Sequence, residues 1–261
     1  MLRKVKAACR GMCLRVGLTL VTLACASSAT TPFDHSTWTR LLQRYVDDEG
    51  RVAYRDLAAN DLAALDSYVA SLAAARTDGW ARADRIAFWL NAYNAVIVRA
   101  ILEGYSAEST LSRYSLFYRH KQDIAGSART PNDIEHRILR PSGDSRIHFA
   151  LVCASSSCPK LRRQAWIGET LDRDLDEEAR RFITEPRRNR ISPDAATIHL
   201  SKIFEWYRDD FGGTDESVRT FIGRYTGEPE RRYLHERQPT IEYLDYDWTM
   251  NAQPGQRPID D

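Results

Sequence analysis

Beyond residue 26 this sequence has no stretch apolar and long enough to cross a bilayer, which takes about 20 consecutive apolar residues. It contains no internal repeat and no low-complexity linker, which excludes solenoids and flexibly tethered domain arrays. It has no pooled basic face. Lys and Arg alternate with Asp and Glu, as in Glu177-Glu178-Ala179-Arg180-Arg181, the pattern of a solvated helix surface, so nucleic acid is not an expected partner. Cysteine is scarce: the five are Cys9, Cys13, Cys25, Cys153 and Cys158, and none forms a CxxC redox or zinc pattern.

What is present begins with a leader. Arg3, Lys4, Lys6, Arg10 and Arg15 form a positive region without an acidic residue. An apolar run follows, Val16 to Ala24, with the length of a signal h-region and too short for a span. Ala24 and Ala26 then fit a small-x-small cleavage site. The same segment permits a lipoprotein signal with Cys25 as the lipidated residue, although Thr22 stands where such signals carry an aliphatic side chain. Residues 1–26 are therefore read as a signal peptide and set apart from the fold. Export is expected, to the periplasm or cell envelope. Five of the 37 basic residues leave with the leader, so 32 remain against 36 acidic ones and the net charge becomes −4. Only Cys153 and Cys158 survive cleavage. In an oxidising compartment two near cysteines often pair, and they can also be a reactive thiol with its resolving partner.

About 235 residues are left, enough for one domain with a real core. Residues 36–46 predict a helix capped by Ser36, and 61–75 a second one with the stripe Leu62, Leu65, Tyr68, Val69 and Leu72. Residues 81–102 are apolar nearly all round from Ile86 to Ile101, so this helix belongs in the middle of the domain. Residues 105–130 read as irregular, and a short helix starts at Pro131. Residues 146–153 predict a buried strand, and Cys158-Pro159 opens the next turn or helix. Residues 171–184 form an amphipathic helix. Short strands are expected at 190–192 and 197–200, helices at 201–207 and 216–225, and an extended stretch at 240–248. The expected fold is a single helix-rich α+β domain over 27–251, built round the 81–102 helix with a small sheet containing 146–153. Residues 252–261 read as a flexible tail.

Five blocks stand out: Phe88-Trp-Leu-Asn-Ala-Tyr-Asn94, Asp133-Ile-Glu-His136, His148-Phe-Ala-Leu-Val-Cys-Ala-Ser-Ser-Ser-Cys-Pro159, Leu200-Ser-Lys-Ile-Phe-Glu-Trp-Tyr207 and Tyr246-Asp-Trp-Thr-Met-Asn251. In this order they resemble the bacterial and plant family catalogued as domain of unknown function 547, over roughly residues 36 to 251. That family label implies no activity. A long central helix ending in Leu102-Glu-Gly-Tyr105, followed by a His on a later strand, is also similar to the transglutaminase and papain-like layout. In those enzymes the nucleophilic Cys opens the central helix. Here that helix carries no cysteine, so the resemblance implies either a nucleophile relocated to Cys158 or a non-catalytic descendant.

Cys158 is the sharpest candidate for chemistry. At a helix start, amide groups and dipole would stabilise its thiolate, and Ser155-Ser156-Ser157 would offer N–H groups to an oxyanion. A Cys153–Cys158 disulfide is the structural alternative. His148 is the candidate base, reaching Cys158 if the loop folds back although strand alternation puts it on the face opposite Cys153; a core His bonded to a backbone carbonyl is the other reading of the same run. His136 is the second candidate base, or a surface His. Asn91 and Asn94, three apart, share a helix face; they either hold a buried polar network or orient a catalytic His. His136, His148, Cys153 and Cys158 include zinc-competent donors, but no pair has an established ligand spacing, and no cofactor or metal is expected. Three functions follow: a cell-envelope thiol hydrolase or acyl transferase, a non-enzymatic envelope binding module with a structural disulfide, and a redox thiol protein. The partner is unknown.

The leader generates a direct test. N-terminal sequencing of protein from envelope fractions should find Ser27 first, or a lipidated Cys25. An intact Met1 on cytoplasmic protein would remove the leader from the account.

Overall fold

A helix that is apolar on every side can be satisfied only by neighbours on every side. Helix α3 (Arg82–Leu102) meets that demand: from Ile86 to Ile101 only Arg99 is not buried. The computed structural model describes residues 32–258 and shows how the rest of the chain is arranged round α3; the leader and Cys25 lie outside the described residues.

On one side stand α1 (Ser36–Tyr45), which buries Trp38, Leu41, Leu42 and Tyr45, and α2 (Tyr54–Ser71). Two expectations are corrected here. Ser36 does not cap α1; its own N–H is taken by Asp34 Oδ1 at 2.8 Å. Helix α2 begins at Tyr54 rather than Asp61, and Asp61 is where its backbone leaves helical geometry. The Asp61 carboxylate accepts from the Tyr45 hydroxyl and Arg44 of α1, so the irregular residue ties the two helices together.

The stretch expected to be irregular is structured. Helix α4 (Thr110–Tyr114) is capped by Ser109, and a wide π-type turn continues it over Ser115–Arg119. Strands β1 (Gln122–Ile124) and β2 (Ser127–Arg129) form an antiparallel hairpin. Its two turn residues, Ala125 and Gly126, have φ of 48° and 74°. Left-handed backbone at both central positions matches the twist of a tight hairpin. Thr130 and Asp133 then cap α5 (Pro131–Ile134) reciprocally. A second π-type turn follows over Glu135–Leu139.

Residues 146–153 are not a strand. Ser145–Phe149 is a 3-10 turn started by Asp144, and the chain then runs without regular secondary structure to Cys153. The run is apolar because it is buried between two clusters. Ile147, Ala150, Leu151 and Val152 join the core round α3, whereas Phe149 joins a second core with Phe182, Phe204, Phe211 and Phe221. Apolarity alone does not distinguish a buried strand from a buried irregular segment.

The second core is built by α6 (Leu171–Thr184), α7 (Ile203–Trp206), α8 (Asp215–Gly223) and α9 (Glu228–Glu236). Strands β3 (Thr197–Leu200) and β4 (Thr240–Tyr243) pair in parallel, Ile198 opposite Ile241. Parallel pairing needs a crossover, which α7 to α9 supply. The chain is thus the expected helix-rich α+β fold, but its sheets are a hairpin and a two-stranded parallel pair, not a sheet containing 146–153. Residues 251–256, which include the first part of the stretch read as a tail, are bonded to residues 52–56. Val52 N–H donates to Asn251 O at 2.9 Å, Gln253 N–H donates back to Val52 O at 3.0 Å, and the Tyr54 hydroxyl reaches Asn251 Oδ1 at 2.9 Å. No described helix is long and apolar enough to cross a membrane.

The buried amides of α3 each bridge to a backbone segment. Asn91 accepts from Trp166 N–H at 2.9 Å and donates to Trp166 O at 2.8 Å. Asn94 donates to Ala150 O at 2.9 Å and accepts from Val152 N–H at 3.0 Å. Removing either amide strands a backbone donor and an acceptor in the core. Asn91→Leu and Asn94→Leu should each destabilise by about 1–3 kcal/mol. Denaturant melts check this, and two variants as stable as the parent would contradict the bridges.

Candidate functional site

The seam between the two cores opens into a pocket of about 390 Å³. Tyr93 of α3, Leu151 and both Cys153 and Cys158 line it, together with Glu135, His136 and His148. Rings from α7 and the C-terminal stretch, Trp206, Tyr207, Tyr246 and Trp248, complete the wall. The two π-type turns both feed it: Phe117 and Tyr118 come from one, Glu135 and His136 from the other. An extra residue in a helical turn rotates the side chains that follow, which is why such turns recur at sites.

Cys153 and Cys158 are joined as a disulfide. Cys158 is buried, and it does not open a helix; residues 155–158 form a turn whose Cys158 N–H donates to Ser155 O at 3.2 Å. In this state neither sulfur is a thiolate, so Cys158 is not available as a nucleophile, nor either sulfur as a metal donor. The Tyr246 hydroxyl lies 3.3 Å from each sulfur and 3.2 Å from Ser155 Oγ. Arg188 donates to the Cys158 carbonyl, holding the loop from the other side.

His148 is buried, and its Nε2 lies 2.7 Å from Asp210 Oδ2. Asp210 also receives a two-pronged contact from Arg140, at 2.6 Å to Oδ2 and 2.9 Å to Oδ1. The hydrogen bond from His148 first, then that from Arg140, holds the Asp210 carboxyl well below the usual carboxylate range. An ionised carboxylate accepts, so Nε2 carries the proton and any base role falls to Nδ1. The Tyr207 ring stacks on the imidazole at a centroid distance of 3.9 Å. His148 Nε2 is bonded to the Asp210 carboxylate and not to a backbone carbonyl, and no strand sets the face of the ring.

The remaining candidates separate. His136 is exposed, and its Nδ1 meets Arg140 at 2.8 Å, so it backs the Arg140–Asp210 pair rather than a thiol. Asn91 lies away from this chemistry, on Trp166. Asn94 does not touch the imidazole; it fixes Ala150 and Val152, two and four residues after His148. The residue that orients His148 is Asp210, which the sequence reading missed. Its signal is slight, one of two adjacent acids in Arg208-Asp209-Asp210-Phe211, and nothing local tells which of the two turns inward. Glu135 was passed over as the neighbour of His136, yet it is the buried member of that pair at 7% exposure. Burial, and after it the Glu135 charge, pushes the phenols of Tyr93 and Tyr207 well above their ordinary range. Burial also pushes Tyr246 up to about 12.

These features define a helix-rich α+β domain with a disulfide in the wall of an aromatic pocket. Residues 77–183 match the family described as protein of unknown function, DUF547. The match spans α3 to α6 and contains Phe88–Asn94, Asp133–His136 and His148–Pro159, three of the five blocks that carried the resemblance. No curated protein and no solved structure matches the chain.

The Asp210 contacts carry a pH signature. Because its folded carboxyl titrates below the unfolded value of about 3.9, its contribution is full above that value and is lost as pH falls through the folded one. Asp210→Asn should therefore lower the melting temperature at neutral pH. The gap from the parent should shrink as pH drops below about 4. A gap that stays constant from pH 7 to 2 would show that Asp210 is not ionised and paired.

Proposed function

We propose that this chain is an exported cell-envelope protein that binds a small, largely apolar ligand in the pocket at the seam of its two cores, with the Cys153–Cys158 bridge as a structural part of the wall. The observation that carries this reading is the pocket's gradient of exposure. Tyr114, Tyr118 and Trp206 are about half exposed at 52%, 52% and 46%, while Tyr93, His148 and Cys158 at its depth are 2–3% exposed. Large apolar side chains left in water round a concavity mark a binding surface. Export is supported by the leader and by the disulfide, a bond that persists in oxidising compartments.

A cysteine-dependent hydrolase or acyl transferase is the second reading, and one observation favours it. The His148–Asp210 pair and Cys158 serve the same pocket, so reduction would place a thiol beside a charge-paired imidazole. In that reading Cys158 is nucleophile, His148 base and Asp210 orienter, and the oxidised protein is inactive.

The neutral dye Nile red, titrated into the oxidised full-length protein, should gain fluorescence, and Trp206→Ala should weaken its binding several-fold. Iodoacetamide should label neither cysteine without reductant. Reduction should cost about 2 kcal/mol of stability, as expected for so short a loop. If the dye does not bind, and Cys158 of the reduced protein alkylates well below pH 8.5, the ordinary thiol value, the enzymatic reading replaces the binding one.

A further inference from the structure

The floor of the pocket holds a carboxylate that no cation among the described residues pairs with directly. Glu135 is 7% exposed and forms no ion pair among the described residues, and its Oε1 has no hydrogen-bond partner. The nearby guanidinium groups make their direct contacts with other partners, although the charge of Arg140 and that of Glu135 act on each other. Arg140 makes its two-pronged contact with Asp210 and a third with His136. Arg113, on the pocket wall, donates to the Ala107 carbonyl at 2.9 Å and lies over the Trp248 ring, 4.0 Å from its centroid. A buried carboxylate oxygen without a donor is costly, and such groups persist where a ligand completes them.

The walls fit the same charge. Trp206, Tyr246 and Trp248 form one cluster, with ring centroids 4.7, 5.7 and 4.5 Å apart. Tyr93 and Tyr207 flank Glu135 closely enough for its charge to act on both phenols. Aromatic faces attract cations, as the Arg113–Trp248 contact already illustrates on this wall. The half-exposed rings at the rim suit an apolar body, and the carboxylate at depth suits a positive head.

We infer that the pocket recognises an organic ammonium, bound head inward with its N–H groups on Glu135 Oε1 and its apolar body against the aromatic wall. An ammonium supplies both the missing donor and the missing charge; a neutral hydroxyl supplies only the donor. This specifies the ligand class of the binding reading and rests on it. The Glu135 carboxylate recognises the ligand, and no covalent step is involved.

The test compares benzylammonium with benzyl alcohol, which match in shape and differ in charge, by calorimetric titration of the oxidised full-length protein. Benzylammonium should bind about tenfold or more tightly than the alcohol. Glu135→Gln, which keeps the shape and removes the charge, should bring the two within about twofold of each other. Should that variant fail to fold, the preference of the parent protein and its loss in raised salt decide the matter. Equal binding of both compounds to the parent overturns the inference and leaves the pocket a neutral apolar site. Binding of neither also overturns it. Nile red binding then confines the failure to the ligand class, and its absence removes the binding reading as well.

Discussion

The side-chain amide of Asn94 holds the middle of this molecule. A helix uses its own N–H and C=O groups internally and has none to offer a neighbour, so a fully buried helix cannot hydrogen-bond to the irregular chain packed against it. The amide solves this: it presents one donor and one acceptor, spaced like a peptide unit, to Ala150 O and Val152 N. Asn91 does the same for Trp166, one helical turn earlier. Without these brackets the irregular run into Cys153 would lie in an apolar core with orphaned backbone groups.

The site is a consequence of that bracket. His148 lies two residues before the bracketed Ala150 and Cys153 immediately follows Val152, so both are set against α3 by the same two hydrogen bonds. Phe149, between them, points into the second core. The segment is therefore a shared boundary, and the pocket is the gap left where the two cores do not meet. His148 is then held from the other side by Asp210, which Arg140 orients in turn. The disulfide closes the far end of the bracketed run and gives the pocket a wall that does not depend on side-chain packing.

That construction leaves different degrees of freedom to different residues. The His148–Asp210–Arg140 set is internally compensated, each charge facing another. Glu135, on the turn immediately beyond α5, has no ion pair among the described residues, and its buried Oε1 meets no donor. A buried oxygen without a donor is uncommon in a folded protein.

Much of the framework was legible in the chain. The all-round apolarity of 86–101 located the central helix, and the cost of burying amides foretold that Asn91 and Asn94 would be bonded. The stripe in 61–75 gave the buried Leu65, Tyr68 and Val69 of α2, and two cysteines five apart allowed the bridge. Residues 146–153 were misread, because apolar composition reports burial and not conformation, and the Cys158 helix start failed with it. The start of α2 was missed because Asp61 breaks the helix within it. Sequence by itself determined what each element must bury, since periodicity and polarity are local quantities. Only the tertiary structure decided who faces whom: that Asp210, 62 residues on, meets His148, and that of two adjacent residues Glu135 turns in and His136 out. Those pairings depend on how loops close over a shared core, and loop closure leaves no period in the sequence.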